Sequence, residues 1–224
     1  MKTSQARENK EKTIIQLREE ILQKDAKIVE FEKREKGYLA DLNRLTVKYE
    51  VTKLLNEATS FDQVCEKILQ VICETLNFQR AFFWVYNSDV KALYCGKSWN
   101  VFLRESKSKS ESEFELMSRK ISFLPGIGLP GRLVTSGKPN WIVDVVKDNN
   151  FLRASVAEKL GIHSAFGFPI LIGYKVFGTM EFFTYDFREP DEKLLDLMVD
   201  IGNLIAEFNW RNSYSKILTG ANRF

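Results

Sequence analysis

Histidine is almost missing from this 224-residue chain: His163 stands alone. One imidazole cannot build a multi-histidine zinc site, and it leaves few routes to a Ser-His-Asp arrangement. Cysteine is nearly as scarce. Cys65, Cys73 and Cys95 are odd in number and lack CxxC or metal-ligand spacing, so a disulfide framework is excluded and reduced thiols are expected. Five prolines and twelve glycines are too few for a chain dominated by linkers. An excess of one charge sign is absent as well. The 33 basic and 30 acidic side chains leave a net charge of +3, which gives no reason to expect a nucleic-acid or membrane partner. Long apolar runs are also lacking. The longest candidate, Ala165 to Phe183, is interrupted by Pro169, Gly173, Lys175, Gly178 and Glu181, and it reads as two strands and a turn. The stretch Lys2 to Lys12 is charged and has no signal-peptide apolar core. A cytoplasmic protein is expected.

What is present is enough for a core: 44% of residues are hydrophobic and 28% charged. Residues 1–56 are rich in Lys, Glu, Gln, Arg and Leu and contain no proline. With Ile14 at heptad position a, the a series reads Ile14, Ile21, Ile28, Glu35, Leu42, Tyr49. The d series reads Leu17, Lys24, Phe31, Tyr38, Leu45, Thr52. This 3.5-residue repeat predicts a coiled-coil helix, and isoleucine at a favours a parallel homodimer. The alternative is a single long solvated helix. Lys24 and Glu35 interrupt the seam.

A second helix follows, with Ser60 as N-cap and Val64, Ile68, Val71, Ile72 and Leu76 as its buried face. Cys65 and Cys73 lie on it as small core residues. The segment 78–86, FQRAFFWVY, predicts a strand buried on both faces, paired across a turn with 90–99. A polar loop (104–113), a helix at 114–119 and short strands at 121–124 and 141–145 come next, then a helix at 152–160. A hairpin over 164–172 and 175–184 precedes a last helix, opened by Pro190, Asp191 and Glu192. Its stripe is Leu194, Leu197, Met198, Ile201, Leu204, Ile205 and Phe208. Helices around an antiparallel sheet define an α+β domain.

Gly126, Gly128 and Gly131 spell G-x-G-x-x-G, with Asp148 beyond. Pro125 and Pro130 flank and enter the motif, and Gly137 and Pro139 cut short any following helix. A dinucleotide-binding crossover needs a longer helix within a β-α-β unit, so a tight turn onto a short helix is the expectation.

Three segments carry a family resemblance: GIGLPGRLVTSGKPNWIVDV (126–145), GIHSAFGFPILIGYKVFGTMEFF (161–183) and REPDEKLLDLMVDIGNLIAEF (188–208). They resemble the GAF domain, of the type found in bacterial sensor histidine kinases and diguanylate cyclases. The resemblance spans about residues 61–210. It implies a central antiparallel sheet flanked by helices, a ligand pocket under the middle loops, and dimerisation through the first and last helices. The expected organisation is a coiled-coil helix over 1–56, a GAF domain over 57–211, and a tail or helix extension over 212–224. The implied function is sensory or regulatory, without catalysis. A small ligand or partner would signal through the terminal helices of a homodimer to a partner protein in bacterial signal transduction. The alternatives are a cysteine-based reductase of the free methionine sulfoxide type and a structural dimerisation module with no ligand.

The family's cofactors transfer poorly. No cysteine follows Cys95, which argues against covalent bilin attachment. Phe187, Asp191 and Glu192 match half of the cyclic-nucleotide motif, but Thr184 and Tyr185 stand where its Asn-Lys pair belongs. His163 could ligate haem iron, or it is a hydrogen-bonded structural residue. Glu181 must be paired, solvated at a pocket wall, or protonated. The residues expected to line the pocket are Trp99, Phe102, Phe114, Trp141, Phe151 and Phe166, with Arg153, His163 and Glu181 as orienting groups. Such a lining favours a flat or apolar ligand.

Overall fold

The computed structural model describes residues 2–101 and 113–221, with side chains over 16–101 and 113–213. Phe102 lies outside them. The elements in chain order are α1 (Lys2–Glu57), α2 (Phe61–Leu76), β1 (Arg80–Asn87), β2 (Ala92–Asn100), α3 (Glu113–Lys120), β3 (Ser122–Phe123) and α4 (Gly128–Ser136). Then come β4 (Asn140–Ile142), α5 (Ala154–Lys159), β5 (Ser164–Ile172), β6 (Lys175–Thr184) and α6 (Glu192–Ala221). The last helix therefore continues past residue 211. The described strands form a six-stranded antiparallel sheet in the order β3-β2-β1-β6-β5-β4. The fold is α+β, as the sequence pattern predicts.

One compact unit ends at Asn43 and a second begins at Arg44. In the first, Leu17, Ile21, Ile28, Phe31, Tyr38 and Leu42 of the heptad series are each more than half exposed. Ile14 lies outside the described side chains. In the second, the last turns of α1 carry two apolar stripes. Leu45 and Tyr49 continue the heptad series and are exposed, whereas Val47, Val51 and Leu55 are buried in the core. At about 100° per residue these stripes point in opposite directions. Arg44 grips the Asp191 carboxylate at 2.9 Å and Lys48 bonds Asp200 at 2.7 Å, which clips these turns to α6.

The sheet has two covered faces. On the first, α2, α6 and the end of α1 bury Phe78, Ala81, Phe83, Phe166, Phe168, Met180 and Phe182. On the second, α3, α4 and α5 cover Phe82, Trp84, Ala165 and Phe183. Strand alternation makes this division: along β6, Met180 and Phe182 face one way while Thr179, Glu181 and Phe183 face the other. At β6 residue 178 the backbone of β1 lies so close that a Cβ would stand 2.4 Å from the Trp84 carbonyl oxygen, and only glycine fits.

Two local expectations change. Pro190 is not the first residue of the last helix. Asp191 is its N-cap, with Oδ1 accepting the Leu194 N–H at 3.0 Å, so proline stands just outside. Ser60 does precede α2, but its hydroxyl makes no cap bond. Gln63 reaches back instead, its Oε1 accepting from the Thr59 hydroxyl at 2.9 Å and the Thr59 N–H at 3.3 Å.

Candidate functional site

Among the described residues, the second face buries charged pairs where the first buries only uncharged side chains. Glu181 follows Met180 on β6 and by parity points into the second face, where Phe82 of β1 is its cross-strand neighbour. Arg153, just before α5, meets it. The Arg153 Nη2 donates to Glu181 Oε1 at 2.6 Å, and the Trp84 indole N–H donates to the same oxygen at 2.9 Å. The Arg153 Nη1 donates to the Ser118 hydroxyl of α3 at 2.9 Å. Arg153 and Glu181 are both fully buried. Burial pushes the Glu181 carboxyl above its ordinary range; the Arg153 charge and the hydrogen bonds from Arg153 and Trp84 offset this only in part.

Aromatic rings enclose the guanidinium. Its central carbon lies 4.7 Å from the Phe114 ring centre, 5.1 Å from Phe183 and 5.2 Å from Phe151. It lies 5.4 Å from Phe123 and 5.5 Å from both Phe82 and Trp84. All six distances are within cation–π range. Polar capacity is left over. Among the described residues, Arg153 Nε, Glu181 Oε2 and Thr179 Oγ1 are buried without a hydrogen-bond partner.

A second buried ion pair stands beside the first. Arg80 Nη1 donates to Glu115 Oε1 at 2.6 Å, Asn100 donates to the same oxygen at 2.8 Å, and Arg80 Nη2 reaches the Tyr185 hydroxyl at 3.4 Å. Helix α3 is thus held at Glu115 by Arg80 and at Ser118 by Arg153.

Of the side chains expected to line a pocket, four converge here: Phe114, Phe151, Arg153 and Glu181. Three belong to the first face instead. Trp99 and Phe166 are in its core, and Trp141 stacks on Phe166 at 5.4 Å while donating its indole N–H to the Arg188 carbonyl at 2.8 Å. The cause is parity. Phe166 opposes Phe182 across β5–β6 and shares its face, as Trp99 shares the face of Ala81. His163 is not among the groups around Arg153. Its ring stacks on Phe187 at 3.9 Å, and its Nδ1 lies 3.6 Å from Asp144 Oδ1, too long for a hydrogen bond. Phe82, Trp84, Phe123, Phe183, Ser118 and Thr179 were not expected. For Phe183 and Thr179 a signal existed, since each lies two residues from Glu181 on the same strand.

The glycine motif closes on itself. Gly126 and Gly128 take positive φ. The Gly126 N–H donates to the Gly131 carbonyl at 2.8 Å, and the Gly128 N–H donates to Asn150 Oδ1 at 3.0 Å. These donors are engaged internally rather than presented to a phosphate.

The sequence model of the GAF domain matches residues 58–208. The chain belongs to the GAF family. Solved GAF structures share its fold. The A. aeolicus nlh2 GAF domain in an inactive state is 22% identical with a TM-score of 0.57, the match covering 75% of this chain and 96% of that one. The GAF domain of a phosphoenolpyruvate-protein phosphotransferase (ptsP) from Coxiella burnetii is 15% identical with a TM-score of 0.61, covering 80% and 98%. The free methionine-R-sulfoxide reductase of Neisseria meningitidis, solved with its substrate, is 11% identical with a TM-score of 0.63, covering 79% and 93%. No match is found among curated proteins. Among the described residues of this GAF protein, no helix is long and apolar enough to cross a membrane, and no cluster of three His, Cys, Asp or Glu could hold a metal ion.

Proposed function

We propose that this GAF protein is a sensory or regulatory module without catalytic activity, acting in bacterial signal transduction of the histidine kinase or diguanylate cyclase type. A small ligand or partner acts on the second face of the sheet. The resulting change passes to the terminal helices of a homodimer, and from them to a signalling partner. The observation that carries this reading is the alternation of β1 and β6. Phe82 and Glu181 belong to the ringed cluster, while their chain neighbours Phe83, Met180 and Phe182 support α2, α6 and the end of α1. A shift on one face moves the residues that seat the helices on the other. The exposed heptad stripe of α1 fits a second copy of this chain.

The cysteines do not favour the reductase alternative. Cys65 and Cys73 are buried in the first-face core, and burial pushes both thiols up. A specific observation favours a purely structural dimerisation module: the centre of the second face is filled by Arg153. Native mass spectrometry of protein purified from its own cells separates these readings. Twice the chain mass plus a retained small molecule supports the sensory module, a bare dimer supports the structural one, and a monomer contradicts both. Ile21→Asn with Ile28→Asn is expected to give monomer in sedimentation at micromolar concentration. A dimer indifferent to both changes places the interface elsewhere.

A further inference from the structure

We infer that the ringed cluster on the second face is a binding site for a small organic cation, an alkylguanidinium or alkylammonium, and that Arg153 occupies it as a built-in stand-in for that ligand. The inference rests on the reading of the chain as a ligand-responsive module, and it supplies the ligand's chemistry and the way the site is held closed.

The first argument is the lining. Phe82, Trp84, Phe114, Phe123, Phe151 and Phe183 surround one delocalised cation, with the Glu181 carboxylate against it. Rings on several sides and one anion are the chemistry that selects guanidinium and alkylated ammonium groups. The lining disfavours anions, since Glu181 repels them. It also disfavours a neutral apolar ligand, which would leave Glu181 buried without its cation.

The second argument is that Arg153 fits the site incompletely. A guanidinium can grip a carboxylate with two parallel bonds. Arg153 gives Glu181 one, to Oε1, and leaves Oε2, its own Nε and the Thr179 hydroxyl without partners among the described residues. A free cation, not tethered to the backbone before α5, can turn to use Oε2 and Thr179 as well. A residue kept only to hold the core together gains nothing from such unused capacity, because each buried orphan is costly.

The third argument is the tether. Arg153 stands at the N-cap of α5, a six-residue helix, and its side chain makes no cap bond. Its neighbour Leu152 is half exposed. The side chain is thus delivered by a short segment that also carries Phe151, whereas Phe82, Trp84, Phe123, Phe183 and Glu181 come from the sheet and Phe114 from α3. Withdrawal of Arg153 by a competing cation would release this segment and leave the sheet in place, a two-state device biased by the ligand's preference for the open form.

Calorimetric titration with ethylguanidinium and with tetramethylammonium, against sodium chloride of equal ionic strength, tests the inference. The folded Arg153→Ala protein is expected to bind at least one probe saturably. Adding Glu181→Gln is expected to weaken that binding tenfold or more. The wild-type protein is expected to bind the same probe saturably but about tenfold or more weakly, because its own arginine competes at high effective concentration. Two results overturn the inference: a folded Arg153→Ala protein that takes neither probe, or one that takes a probe to which the wild type shows no saturable response. In the second case Arg153 is a permanent part of the core. If Arg153→Ala does not fold, Arg153→Met, which keeps bulk without charge, is used with the same expected order. A ligand of other chemistry retained in native mass spectrometry, with no cation bound here, would retire this inference and leave the sensory reading standing.

Discussion

The two faces of one sheet solve the same burial problem differently. On the first, Phe166, Phe168 and Phe182 lie nearly parallel, with centroids 4.8 Å and 6.1 Å apart and tilts of 11° and 7°, under helices that add aliphatic, aromatic and sulfur-bearing side chains but no charge to the core. On the second, the same strands present Arg80, Thr179 and Glu181, and a buried arginine from outside the sheet completes the set. Both faces exclude water, but only one retains charge in doing so. Apolar packing stabilises by area and tolerates few alternatives. Buried ion pairs contribute little net stability, yet they specify partners and can be exchanged. The first face is therefore the one that holds the fold, and the second is the one with something to lose or bind.

Substitutions can break that contrast, beginning with the largest effect. Phe182→Ala removes a ring from the stacked core and is expected to cost about 3–5 kcal/mol in urea unfolding, with little dependence on pH. Replacing the charged pair on the second face with hydrocarbon, Arg153→Met together with Glu181→Met, should do the opposite. The double variant is expected to be neutral or more stable by about 1–4 kcal/mol, since the desolvation of both ions is relieved. A loss as large as that of Phe182→Ala would erase the distinction between the faces.

Acidity sharpens it further. The Glu181 carboxyl is raised by burial, so the folded chain holds that proton more tightly than the unfolded chain. Its contribution is complete below the ordinary carboxylate range and is lost as pH rises through the raised value. Glu181→Gln lacks this slope. The stability difference should therefore move in favour of Glu181→Gln as pH climbs from about 4. A difference moving toward the wild type would mean that the carboxyl is instead lowered by Arg153. The smallest effect is kinetic. Burial pushes the thiols of Cys65 and Cys73 well up, whereas Cys95 is half-buried. A thiol reagent at pH 8 is expected to modify Cys65 and Cys73 at least about tenfold more slowly than Cys95, as the thiolate fraction falls about tenfold per unit.

The sequence shows the architecture well because its punctuation is strong. The hairpin over 164–172 and 175–184 is bounded by Gly173-Tyr174 and matches β5 and β6 residue for residue. The site was half legible. Glu181 stands out as the one acid in an apolar strand, and the pocket that the family resemblance implies under the middle loops points to Phe114, Phe151 and Arg153. Face assignment was not legible, because β1 and β5 are apolar on both sides and the period of two carries no hydropathy signal there. Phe166 of β5 falls on the first face, and Trp99 and Trp141 of the neighbouring strands lie there with it. The double stripe of α1 was hidden differently: Val47, Val51 and Leu55 fall outside the heptad series and look like surface until their burial is known.

The central claim is that the charged face and the helix-bearing face are coupled through β1 and β6. Hydrogen exchange of the Arg153→Met protein, compared with wild type, tests it without any ligand. The substitution touches only the second face. Coupling predicts altered protection in α6 over 192–213 and in α1 over 44–57, besides that at α3 and α5. A change confined to α3, α5 and the rings around residue 153, with α6 and α1 unaltered, would contradict it.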